Sequence, residues 1–139
     1  MAIEKRDIAE KIGKIRLLLQ QLRSDAPRCS EAMADELHRD AILYRLYILS
    51  DRVLRLAETV CKIKKLGYPL TYSDFIYRLG DAGVIDREFA YRFASIAKFR
   101  NFLAHEYGDI DDERICEMMQ SDLSDVENFL EQIERSLGV

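Results

Sequence analysis

The chain has little that would break a helix. Only two prolines and six glycines occur in 139 residues, and period-two alternation of apolar and polar side chains never persists, so long helices are expected and a sheet is not. Histidine is equally scarce: imidazole chemistry is confined to His38 and His105. Cys29, Cys61 and Cys116 are odd in number, widely separated and without Cys-x-x-Cys spacing. They argue against a structural metal and read as reduced thiols of a cytoplasmic protein. No apolar run approaches the ~20 residues of a membrane span. The start, Ile3-Glu4-Lys5-Arg6-Asp7, alternates charge at once, unlike a signal or transit peptide. A basic excess is also missing. With 21 Lys and Arg against 25 Asp and Glu, the formal charge is -4, which excludes a generally basic nucleic-acid surface and leaves room only for a local patch.

What is present describes a folded scaffold. Hydrophobic residues are 48% and charged residues 33%, and 139 residues suffice for a single domain, 1–139, around one core. Ile8, Ile12, Ile15, Leu19 and Leu22 recur in steps of four and three, placing one apolar stripe on a helix over about residues 3–23 that Pro27 ends. A second helix is expected from Ser30 to about Leu66, with the seam Ile42, Leu46, Leu49, Val53, Leu56, Val60, Ile63. At ~1.5 Å per residue it would run roughly 50 Å, so part of it should project, kink or pair with another chain. Gly67 and Pro69 stop it.

Thr71 or Ser73 caps a short third helix ended by Gly80 and Gly83, and Asp86 caps a fourth. Phe89, Phe93, Ile96, Ala97, Phe99, Phe102 and Leu103 cover more of that helix than a surface stripe needs, which predicts burial on two sides. Gly108 suits its C-terminus. Asp109, Asp111, Asp112 and Glu113 precede a last helix with the seam Ile115, Met119, Leu123, Val126, Leu130, Ile133, Leu137. The expected architecture is all-α, an antiparallel bundle of four long helices and one short one.

Chemistry concentrates where the fourth helix ends, in Phe99-Arg100-Asn101-Phe102-Leu103-Ala104-His105-Glu106-Tyr107. Asn101 and His105 are four apart and share a face, whereas Arg100 and His105 lie about 140° apart around a helix. They converge only on something lying across the helix end. The dipole and the neighbouring carboxylates favour a charged His105, and a histidine titrating near neutrality suits proton transfer. Cleavage of RNA by its own 2′-hydroxyl needs a base, an acid and a cation for the phosphorane. Two copies of the stretch across a two-fold axis would supply all of them without a metal.

Arg100-Asn101-Phe102-Leu103-Ala104-His105 resembles the R-x4-H motif of the HEPN superfamily, and the extension to Tyr107 resembles the R-x4-H-x-Y signature of HepT-like ribonuclease toxins. Pro69-Leu70-Thr71-Tyr72 before a short helix, Ala82-Gly83-Val84-Ile85-Asp86 before the motif helix, and the acidic-capped final helix extend the likeness over most of the chain. The resemblance implies a homodimer with facing motifs, metal-independent cleavage of cellular RNA without a cofactor, and a minimal nucleotidyltransferase antitoxin that transfers AMP to the motif tyrosine. Carried over, Arg100 binds phosphate, Asn101 orients His105, His105 transfers the proton and Tyr107 accepts AMP. Glu106 departs from the aspartate expected in many relatives and keeps the charge.

Other readings stand beside these. Arg100 can pair with an acidic neighbour, His105 can merely offset the helix dipole, and Tyr107 can close the bundle end. Arg92 and Lys98 can extend a phosphate track or face solvent, and Tyr72 can stack on a base or pack. Asp35 and His38 have a spacing that binds metal from a helix, yet lack a second such pair and read as surface residues. A non-catalytic docking subunit for a nucleotidyltransferase is the alternative function.

Overall fold

The structure is a computed structural model that describes residues 2–105 and 109–139. All regular structure among them is helical: α1 (Ala2–Asp25), a 3-10 turn (Ala26–Arg28), α2 (Cys29–Ala34), α3 (Glu36–Ile63), α4 (Tyr72–Asp81), α5 (Arg87–Phe93), α6 (Ile96–His105), α7 (Asp112–Ser121) and α8 (Leu123–Leu137). The helical bundle is as the pattern predicts, but three of the expected helices are interrupted.

Two of the interruptions have a local side-chain cause. The second expected helix breaks at Asp35, whose extended backbone and carboxylate, accepting from His38 N at 2.9 Å, start α3 afresh. This is the kink that the 50 Å length called for. Between α5 and α6, Ser95 N turns to Arg92 O at 3.5 Å, and Ser95 Oγ donates to the same carbonyl at 3.1 Å. That competition with the helical ladder bends the chain into the motif helix. At Asp122 the backbone stays right-handed, so the apolar seam carries across from α7 to α8. Thr71, Asp86 and Asp111 cap α4, α5 and α7 through Asp74 N, Phe89 N and Glu113 N.

Helix α3 is the axis of the fold, packing against α1, α2, α4 and α6. Ile42, Leu43, Val53, Leu54, Leu56, Ala57, Val60 and Cys61 on it are wholly buried, in one continuous core with Ile8, Leu22, Ile76, Phe129 and Ile133. Arg16 clasps α1 to α8 by reaching Glu127 and Glu134 together, at 3.0 and 2.6 Å. At Gly80 a Cβ would lie 2.5 Å from Ala90 Cβ, so only glycine lets α4 approach α5 this closely.

The cysteines do not stand as three thiols. Cys29 and Cys116, 87 residues apart in sequence with Cα atoms 5.6 Å apart, form a disulfide joining α2 to α7. Spacing alone does not register a pair that the fold makes adjacent. Cys61 is free and buried, and burial pushes its thiol up to about 11.

Candidate active site

The motif helix lies on α3 through Ala97 and Leu103, its buried residues. Arg100 meets α3 at Asp51, whereas Arg39, more than three turns earlier on α3, meets Ile110 O and Asp112 beyond the motif. The motif segment therefore runs antiparallel to α3, and His105 ends α6 between those two levels.

Arg100 is held from several sides. Its Nε and Nη2 donate to Asp51 Oδ1 at 3.1 and 2.9 Å, and its Nη1 donates to Asn101 Oδ1 at 3.0 Å. The guanidinium carbon lies 5.6 Å from the ring centres of both Tyr47 and Tyr72, within cation–π range of each. A guanidinium has five N–H groups, and among the described residues three are engaged, leaving two for an incoming oxyanion. The side chain is 21% exposed and Asp51 16% exposed, a setting in which a charge pair is less screened than on open surface.

Asp51 serves two arginines. Its other oxygen, Oδ2, accepts from Arg55 Nε at 2.8 Å. Burial pushes the Asp51 carboxyl up, but hydrogen bonds and charge from Arg55 and Arg100 outweigh this and hold it below its ordinary value. The motif reading did not include Asp51, Arg55 or Tyr47. One signal was present: Asp51 is the only acidic residue between Asp40 and Glu58, in a run that apart from Ser50 is otherwise apolar, aromatic or basic.

The remaining candidates are dispersed. His105 is exposed as the last residue of α6. Asn101 is exposed and turns its carbonyl oxygen to Arg100. Tyr107 and the neighbouring Glu106 and Gly108 lie outside the described residues. Tyr72 comes to Arg100, but Arg92 turns to Asp125 on α8 at 2.7 Å and stands over the Phe89 ring. Lys98 lines a cleft between α6 and α7 with Phe102, Asp111 and Arg114. The three basic candidates thus face different sides. His38 points its Nε2 at Asp25 Oδ1, 2.9 Å away. Among the described residues no three His, Cys, Asp or Glu side chains converge as metal ligands, and no helix is long and apolar enough to cross a membrane.

The outward side of α6 is apolar and open, where the sequence pattern predicts burial on both sides. Phe102 is 40% exposed, and Ile96 and Phe99 are half-buried. A groove of about 270 Å³ runs past Leu46, Leu49, Ile96, Phe99 and Met118. A second, about 630 Å³, continues on the far side of Phe99 past Phe102 and Ile115. Residues of α3, α7 and α8 line these grooves beside α6, and among the described residues Phe102 stays open to solvent.

The fold has known counterparts. A mutant MntA–HpeT toxin–antitoxin structure superposes with a TM-score of 0.83 at 20% identity, over 92% of this chain and 98% of that one. A tri-AMPylated HEPN toxin from Shewanella oneidensis, in complex with an MNT antitoxin, gives the same score and identity over 92% and 96%. YutE of Bacillus subtilis, a cytosolic protein of unknown function, gives 0.77 at 16% identity over 97% and 94%. No curated protein matches the sequence. Residues 8–133 match the family described as ribonuclease HepT-like, and the chain belongs to that family.

Proposed function

We propose that this protein is a toxin that cleaves cellular RNA in the cytoplasm without a metal, at a site composed by two copies of the motif. The observation that carries the reading is the fixation of Arg100 by Asp51 between two tyrosine rings, with two N–H groups unspent among the described residues, five residues before an exposed His105. An arginine that only neutralised Asp51 would not need two aromatic faces.

In the reaction, one imidazole takes the proton of a 2′-hydroxyl, whose oxygen attacks the adjacent phosphorus. Arg100 offsets the charge that builds on the phosphorane. The 5′-oxygen leaves with a proton from the second copy's imidazole, yielding a 2′,3′-cyclic phosphate and a 5′-hydroxyl. The pairing of copies rests on the open apolar side of α6, where Phe99 lines both grooves and Phe102 the second. A two-fold axis there brings the two helix ends together.

The partner is a minimal nucleotidyltransferase antitoxin, by likeness to the complexes above, and Tyr107 is the residue that accepts AMP. A phosphoryl group two residues after His105 competes for the donors that Arg100 offers to RNA. Growth arrest on induction, relieved by His105→Ala, tests the toxin. An AMP adduct on Tyr107 after co-expression with the partner, read by mass spectrometry, tests the switch. The alternative of a non-catalytic docking subunit draws on the net charge of -4. It predicts a harmless wild type that still binds the transferase.

A further inference from the structure

One carboxylate holds two arginines at the site. Asp51 Oδ1 takes Arg100 and Asp51 Oδ2 takes Arg55, so the two guanidinium groups stand side by side on α6 and α3. Arg55 differs from its neighbour in exposure. Its side chain is 58% exposed, and only one of its five N–H groups is engaged by Asp51. The Tyr72 ring stands over Arg100, 5.6 Å from its guanidinium carbon. Glu58, one turn further along α3, is the carboxylate besides Asp51 that acts on Arg55. An arginine spent only on closing a helical pair would gain a few tenths of a kcal/mol and would not need a carboxylate already committed elsewhere.

We propose that Arg55 is a second phosphate-binding residue of the site, gripping the phosphate next to the one that Arg100 holds, with Asp51 as the positioning residue that sets both guanidinium groups. The site then reads a single-stranded RNA backbone over two consecutive phosphates, with Tyr72 beside them as the face on which an unpaired base stacks. This rests on the ribonuclease reading and adds to it a residue outside the R-x4-H motif.

Salt dependence counts such contacts. For single strands each phosphate neutralised contributes about 0.7 to the slope of log affinity against log salt. The measurement is fluorescence anisotropy of a labelled single-stranded RNA oligonucleotide binding the full-length His105→Ala protein, which leaves the strand uncut, across a series of potassium chloride concentrations. Arg55→Gln is expected to flatten the slope by about 0.7, Arg100→Gln by a similar amount, and the double variant by about 1.4. Arg55→Lys is expected to keep the slope, since lysine still neutralises a phosphate. Circular dichroism checks that each variant is folded, and glutamine is a good helix former at this exposed position. If Arg100→Gln flattens the slope and Arg55→Gln changes neither slope nor affinity, the second contact is wrong and the ribonuclease reading stands. A flattened slope in Arg55→Lys equal to that in Arg55→Gln also overturns the contact. If neither arginine affects the slope, both readings fall together.

Discussion

Asp51 and Arg100, 49 residues apart in the chain, are joined by two hydrogen bonds to a single carboxylate oxygen, at 2.9 and 3.1 Å. This contact ties the motif helix to the central helix at the level of the proposed phosphate site. Asp51→Asn keeps the size of the side chain and removes its charge, so Arg100 loses its fixed orientation. Cleavage is expected to fall on the order of 10²-fold through kcat, the scale that misplacing a catalytic group by about 1 Å produces. KM should change little, because both arginines keep their charge. Steady-state kinetics on a short RNA separates the two.

Acid should weaken the protein through the same pair and through its counterpart on α1 and α8. The Glu134 carboxyl is held down by its hydrogen bonds from Arg16, and the Asp51 carboxyl is also held below its ordinary value, by Arg55 and Arg100 against the opposing push of burial. A carboxylate depressed in the folded state contributes stability that is fully present above its unfolded value, about 4, and is lost as pH falls through the folded value. The melting temperature should therefore be insensitive to these groups from neutrality to about pH 5 and drop below pH 4. Asp51→Asn should flatten part of that drop, as read by thermal melts across the acid range.

Gly80→Ala should destabilise the fold by about 1–3 kcal/mol, the usual cost of inserting a methyl group into a closed contact. The added Cβ meets Ala90 Cβ on α5 at 2.5 Å, with Arg87 Cα at 3.4 Å behind it. Denaturant melts check the magnitude. The companion change Gly83→Ala meets no neighbour, so any loss there reports its left-handed backbone alone.

A thiol reagent should find no reactive cysteine in the native, unreduced protein. Cys29 and Cys116 are joined, and Cys61 is buried with its thiol pushed up to about 11. Denaturation without reductant should release one thiol, and denaturation with reductant three. Reduction should cost about 2–4 kcal/mol, because the link closes a long loop between α2 and α7. Three thiols on denaturation without reductant would contradict the pairing.

Sequence periodicity was enough for the bundle, because apolar steps of three and four in Ile8 to Leu22 or Ile115 to Leu137 leave no other face to bury. It was not enough for the breaks at Asp35 and Ser95, where one side chain competing for a backbone group decides the matter over a residue or two, nor for the break at Asp122. In the site, Arg100 and His105 are five residues apart in sequence and legible as a motif. Asp51 and Tyr47 are brought to Arg100 only by the antiparallel packing of α6 on α3, and apart from Asp51 being the lone acid in its run nothing local announces that contact. The disulfide was hidden for the same reason, since Cys29 and Cys116 meet across the packing of α2 on α7. The motif helix was read as buried on both sides from its composition alone, whereas its outward face is left open.

The most direct test of the account is cleavage of a single-stranded RNA by the purified protein in the presence of a strong metal chelator, comparing wild type with His105→Ala. The account predicts that the wild type cuts the strand to fragments ending in a 2′,3′-cyclic phosphate, with the variant about 10²–10⁴-fold slower, the span that general acid–base groups contribute. Uncut RNA with the wild type, or equal cutting by both proteins, would contradict it.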